Sequence, residues 1–236
     1  MTFISRRDLL KGAALAGAAA ASATGTASRA TSASAEIGAP AVPVALQTAP
    51  APLETLTATE ADILDHIVAR LIPTDANGPG AREAGAVRYI DRALGGALSS
   101  ARQAYTAGLA AVDRYARASR GRAFTELDGN DQDGVLSDVE GGTAAGFAGS
   151  SSGFFNLVLN HTIQGTFGDP HYGGNANFIG WDLIGYPGVR TAVTPADQQR
   201  LERDGLPSNH KAAYDYNTFT KASASADSHD GLNHAD

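Results

Sequence analysis

The run LTATEADILDHIVARLIPTD, residues 56–75, limits the fold more than any other stretch. Ile63, Leu64, Ile67, Val68, Leu71 and Ile72 recur at the spacing that puts them on one face of an α-helix. Thr57 followed by Glu60 forms a capping box at the start, and Pro73 stops the run. A helix with one apolar stripe must bury it against other elements. Matching faces follow. Val87, Ile90, Leu94 and Leu98 predict a second helix over Val87–Leu98, and Tyr105, Leu109, Val112 and Tyr115 a third over Ser99–Ser119. Shorter helices are expected near Asp131–Glu140 (Val135, Leu136, Val139) and Ser151–Ile163 (Phe154, Phe155, Val158, Leu159, Thr162). Alternating strand patterns are scarce and no internal repeat is present. The expected fold is mainly α: a compact bundle of short helices with a long ordered C-terminal loop segment rich in glycine and aromatics.

The bundle occupies only part of the chain. SRRDLLK, Ser5 to Lys11, has the form of a twin-arginine signal around Arg6 and Arg7, followed by a mild Ala/Gly-rich run, Gly12 to Ala23, too short to span a bilayer. Ala-x-Ala sites at Ala21–Ala23 and Ala33–Ala35 allow cleavage, with Ala35 preferred. Residues 1–35 are therefore read as a signal peptide, 36–55 as an Ala/Pro-rich linker or arm, 56–220 as the domain, and 221–236 as a small polar tail. The twin-arginine route carries folded cargo, so the expected location is periplasmic. The chain has no Cys, which excludes a disulfide framework and thiolate metal sites. Loss of residues 1–35 removes Arg6, Arg7, Lys11, Arg29 and Asp8. It leaves 14 basic against 24 acidic residues, a formal charge of −10. So acidic a chain is a poor partner for nucleic acid or anionic lipid.

Three constellations invite a chemical reading. GNDQDGVLSDVE, residues 129–140, follows calcium-loop spacing with Asp131, Asp133 and Glu140 at ligand positions. Its first position is Gly129, however, with Asp128 one residue out of register. An acidic helix start is the preferred reading. His161, Asp169, His171 and Asp182 could form a metal or acid/base cluster, but no dense metal spacing is present, and His161 and His66 fit packing roles on helices. No G-x-S-x-G elbow supports a nucleophilic serine.

The third is GDPHYGGNANFIGWDLIGYPG, residues 168–188, with six glycines and the only Trp. It has no chemical spacing, but it has a conformational one. Turn formers (Asp169–Pro170, Gly173–Gly174–Asn175, Gly185, Pro187–Gly188) alternate with large anchors such as Tyr172, Phe178, Trp181 and Tyr186. Such a loop lies flat on a surface, either its own helices or a partner.

The first helix, the DQDGVL middle and above all the G-D-P-x-Y-G-G-N…G-W-x-x-I-G-Y-P-G string resemble the gluconate 2-dehydrogenase subunit 3 family from about Leu56 to Arg190. The resemblance implies a non-catalytic small subunit with no cofactor or metal of its own. In such complexes a large flavoprotein dehydrogenase holds FAD and oxidises the sugar, and a multihaem cytochrome c subunit, carrying haem c, often takes the electrons. The small subunit helps the flavoprotein mature and carries it to the twin-arginine translocase, and any membrane association comes through the complex. On this reading Asp169, Pro170, Tyr172, Gly173, Gly174, Asn175, Trp181, Tyr186 and Pro187 are the partner-docking residues, and Arg6 and Arg7 the export signal. Two other readings are a stand-alone periplasmic metal-dependent enzyme using His161, Asp169, His171 and Asp182, and a ligand-binding module with Trp181 as a stacking platform.

Overall fold

The structure is a computed structural model that describes residues 52–203 and 205–219. The signal segment, residues 36–51 of the arm and the tail from 221 lie outside the described residues. Within them the chain forms seven α-helices and several 3-10 turns, with no strand beyond an isolated bridge between Asp75 and Gly78. The mainly α class expected from the sequence is the class observed.

Helix α1, Ala58–Leu71, starts at the Thr57–Glu60 capping box and buries Ile63, Leu64, Ile67 and Val68. Helix α2, Ala86–Leu94, buries Ala86, Ile90, Asp91 and Leu94. It stops four residues short of the expected Leu98, because Gly95 and Gly96 disfavour continuation. Residues 99–101 form a 3-10 turn that leads into α3, Arg102–Arg120, whose buried face carries Tyr105, Leu109, Val112 and Ala116. Gly121, with φ +77, ends α3 in the left-handed conformation that favours glycine. Helix α4, Gly129–Glu140, begins where the Asp128 carboxylate accepts the Asn130 and Asp131 amides. Helix α5, Ser151–Phe167, is capped by Ser150 and runs four residues beyond the expected end. It packs against α1, α2, α3 and α4.

The core of the bundle joins these faces: Leu64, Val68, Ile90, Tyr105, Leu109, Val112, Phe124, Val135 and Val139 are all essentially inaccessible to solvent. Burial of such side chains contributes about 1.5–3 kcal/mol each. Several polar groups inside join elements, although the buried Ser151 hydroxyl has no hydrogen-bond partner. His66 meets the Gln132 amide at 2.9 Å, and that amide also donates to Phe124 O, joining α1 to α4. Asp91 is 2 % exposed and accepts the backbone amides of Glu54, Thr55 and Leu56 at 2.7–2.9 Å. The segment that leads into α1 is thereby fixed to α2.

The Gly168–Gly188 stretch departs from the expected irregular loop. It contains 3-10 turns at Pro170–Tyr172 and Ala176–Phe178, then a short helix α6, Ile179–Leu183. Helix α7, Pro195–Arg203, and a 3-10 turn at Ala213–Asp215 follow, neither anticipated by apolar periodicity. No described helix is long and apolar enough to cross a membrane.

Candidate functional site

The block at residues 168–188 is built on the C-terminal end of α5. A helix end leaves carbonyls without intrahelical partners, and these must be met elsewhere. Gly168 N donates to Gln164 O, and Asn175 N donates to Gly165 O at 2.7 Å. Trp181 Nε1 donates to Phe167 O at 2.8 Å, and Asn175 Nδ2 to Gly168 O at 2.9 Å. Asn175 is fully buried, has φ +44, and also accepts the Gly180 amide at 2.8 Å. Asn tolerates the left-handed region better than most residues, which suits it to this turn. Two glycines are required by proximity. A Cβ on Gly174 would lie 2.1 Å from Gly165 O, and one on Gly180 would lie 1.8 Å from Thr166 O. The block is thus a cap for α5, and its main chain touches the helix directly.

The side chains proposed for docking divide into two groups. Trp181 is 5 % exposed and packs on Phe178 and Tyr186, with ring centroids 5.4 and 4.7 Å away. Gly174 and Asn175 are also buried, while Gly173 and Pro187 are half-buried. Asp169 starts the Pro170–Tyr172 turn by accepting His171 N, and its other oxygen accepts Ala213 N. Tyr172, Ile184 and Tyr186, by contrast, are 54, 58 and 38 % exposed. Hydrogen bonding with Tyr214 pushes the Tyr172 phenol above its ordinary range. The outward surface of the block is therefore a rim of tyrosines and Ile184, with Trp181 inside it and no exposed indole face on which a ligand could stack.

The four residues considered for metal or acid/base chemistry each meet a different partner. His161 is buried on α5, where Nδ1 lies 3.0 Å from the Tyr105 hydroxyl and the rings stack. Burial pushes the imidazole pKa down and the Tyr105 phenol up. The direction of that hydrogen bond follows the His161 tautomer. His171 stacks on Tyr214 at 3.6 Å, and Asp182 pairs with His210 at 2.8 Å. The calcium-spaced residues all lie in α4, with no loop between them. Asp133 forms a bidentate pair with Arg70, Asp131 lies 3.6 Å from Arg120, and Glu140 is nine residues along the helix from Asp131, a rise of about 14 Å. Among the described residues no three His, Asp or Glu side chains are grouped to hold a metal ion.

The clefts best formed among the described residues are small. A cleft of about 180 Å³ lies between Asn77–Pro79 and Ile179, Asp182 and Leu183. Another of about 220 Å³ is lined by Arg70, Pro73, Thr74, Arg82 and Glu83. Both fall below the ~300 Å³ at which small-molecule sites usually begin. Sequence reasoning missed the segment 205–219, which lies against the block, and Asn175's part as its buried centre. Gly-Gly-Asn gave a turn signal, but nothing local announced partners seven to ten residues away.

The chain has no significant match among curated proteins or among solved structures. The sequence pattern of the gluconate 2-dehydrogenase subunit 3 family does match, over residues 58–188, from the first residue of α1 to the last glycine of the block. That match covers more than half of the chain, which therefore belongs to the gluconate 2-dehydrogenase subunit 3 family.

Proposed function

We propose that this chain is a non-catalytic small subunit that binds the FAD-dependent large subunit of a sugar, sugar-acid or alcohol dehydrogenase. In this reading it supports maturation of the flavoprotein and its co-export by the twin-arginine route to the periplasm. One observation supports the non-catalytic part: Asn175 caps α5, and Asp169, His171 and Asp182 hold neighbouring segments, while Tyr172, Ile184 and Tyr186 face outward. Tyrosines held by their neighbours make good anchors, because little side-chain freedom remains to be lost on binding. Family membership supports the partner, since the family's name places it among the subunits of a dehydrogenase. In this reading the flavin is held by the partner, and haem c, where present, by a third subunit.

The test is a pull-down of the chain from periplasm, with flavin absorbance read on the co-purifying protein. A flavoprotein should be recovered in stoichiometric amount. Changing Arg6 and Arg7 to Lys should leave that flavoprotein in the cytoplasm. Its appearance in the periplasm without the arginine pair would end the co-export reading, and failure to recover any flavoprotein would end the subunit reading.

A further inference from the structure

The connection between α1 and α2 carries the one Asn–Gly pair of the sequence, Asn77–Gly78. The chain reverses there over Ala76 and Asn77: Asp75 N donates to Gly78 O and Gly78 N to Asp75 O, both at 3.1 Å. Asp75, Ala76 and Asn77 are exposed, and the Asn77 main-chain amide donates to Asp75 Oδ1 at 2.8 Å. The Asn77 carboxamide makes no hydrogen bond among the described residues. It is free to turn toward the amide nitrogen that follows it in the chain.

That nitrogen can attack the side-chain carbonyl, and glycine has no side chain to obstruct the approach. Ring closure forms the bond from Gly78 N to Asn77 Cγ and breaks the bond from Cγ to Nδ2. The proton of Gly78 N leaves with that nitrogen as ammonia, and a succinimide remains. Water then opens the ring. Addition at Cγ gives aspartate in a normal chain. Addition at the main-chain carbonyl gives isoaspartate, whose chain runs through Cγ and is longer by a methylene. Gly78 N must first leave Asp75 O, and hydrogen bonds at an exposed turn open at low free energy. The Asp–Gly pairs of α4 are placed otherwise. An ionised carboxylate is a poor electrophile, Asp128 is held as the cap of the helix, and Asp133 is paired with Arg70 while Gly134 lies within a helical turn.

We infer that Asn77–Gly78 is a site of spontaneous deamidation, and that its products alter the turn facing the Gly168–Gly188 block. Just beyond the turn the chain is pinned. Ala81 N donates to Ile72 O at 2.9 Å, and a Cβ on the buried Gly80 would lie 2.2 Å from that oxygen. The added methylene of isoaspartate has no room there, so it falls on the paired Asp75–Gly78 bonds and breaks them. Asn77, Gly78 and Pro79 form one wall of the cleft whose other wall is Ile179, Asp182 and Leu183. Either product therefore puts a second carboxylate on the cleft that Asp182 lines. The inference concerns the chain's own chemistry and needs no partner.

The test follows the folded, exported chain during storage in mildly alkaline buffer. Samples are digested with trypsin and mapped by mass spectrometry, a zero-time digest correcting for conversion during handling. Arg70 and Arg82 release the turn as the fragment Leu71–Arg82. The fragment Ala123–Arg190, with Asn130, Asn156, Asn160, Asn175 and Asn177, is the internal control. Asn77 should convert at least about tenfold faster than any of these, its glycine neighbour lowering the barrier. The products should be isoaspartyl and aspartyl forms together, with the isoaspartyl form in excess. On anion exchange the intact chain should develop a more acidic species, which Asn77→Gln abolishes. Conversion of Asn77 no faster than that of the control asparagines overturns the inference. Conversion to aspartate alone overturns the ring route, and an acidic species that persists in Asn77→Gln places the reaction elsewhere.

Discussion

Asn175 satisfies main-chain groups on both sides of the turn that it occupies: its amide nitrogen donates to Gly168 O and its oxygen accepts from Gly180 N, the second bond being fully buried. Asn175→Ala leaves a buried donor and a partly buried acceptor unmet and keeps the left-handed backbone. It is expected to cost about 2–4 kcal/mol, read as a shift of the urea midpoint with little change in slope. Trp181 calls for a different measurement, because its residue type suggests a binding hot spot and its 5 % exposure points to packing. Trp181→Ala should destabilise the isolated chain by about 3–5 kcal/mol, whereas Trp181→Phe should cost less by keeping the bulk and losing only the donor to Phe167 O. An isolated Trp181→Ala chain with unaltered stability and impaired partner binding would instead make the indole a docking residue. Tyr172→Ala and Ile184→Ala, on the exposed rim, should leave stability within about 0.5 kcal/mol of the parent and weaken the complex.

Where α2 meets the chain entering α1, Asp91 does what no neighbouring residue could. Its carboxylate holds three successive amides, those of Glu54, Thr55 and Leu56, and Arg102 adds a bond to Thr55 O at 3.3 Å. Asp91→Ala should release residues 54–56 and cost about 3 kcal/mol, seen as fast exchange of those amides and a lower Tm. The same element shows what a sequence can and cannot reveal. The apolar faces of α1, α3 and α5 were legible because a helix repeats locally, every three to four residues. Asp91 carries no comparable local signal, since its partners lie 35–37 residues earlier. The calcium-like spacing in α4 misdirects for a related reason: the pattern fits, but Asp133 is held by Arg70, 63 residues away. The helical turns of the block escaped notice because Asn175, Asn177 and Phe178 all have positive φ, which breaks the periodicity that sequence reading relies on. Helix α7 was detectable by other means, as Thr194, Pro195 and Asp197 form a start signal with reciprocal bonds between Thr194 and Asp197.

At the scale of the whole molecule, two buried or half-buried groups make stability depend on pH in separate ranges. Burial lowers the pKa of His161 in the folded chain below that of an exposed imidazole. An unfolded imidazole takes a proton near pH 6.5, so below that the unfolded chain binds more protons than the folded one, and stability falls as pH falls. The slope is at most about 1.4 kcal/mol per pH unit, and the full contribution is present above pH 6.5. Glu60 acts lower. Burial pushes its carboxyl up, but hydrogen bonds from Arg102, the Thr57 amide and the Thr106 and Thr57 hydroxyls outweigh this and hold it at about 2. Its folded pKa lies below the unfolded value, so its contribution is complete above the ordinary carboxylate range and is lost as pH falls toward 2. The bidentate Arg102 pair, at 2.7 and 2.9 Å, makes that contribution on the order of 2 kcal/mol once solvent screening is allowed for. Melting temperature followed from pH 8 to pH 3 should therefore decline first below 6.5 and again below about 4.5. His161→Gln should flatten the first decline and leave the second, and Glu60→Gln should do the reverse. A single decline unaffected by His161→Gln would place the histidine in solvent contact, against its 6 % exposure and its stack on Tyr105.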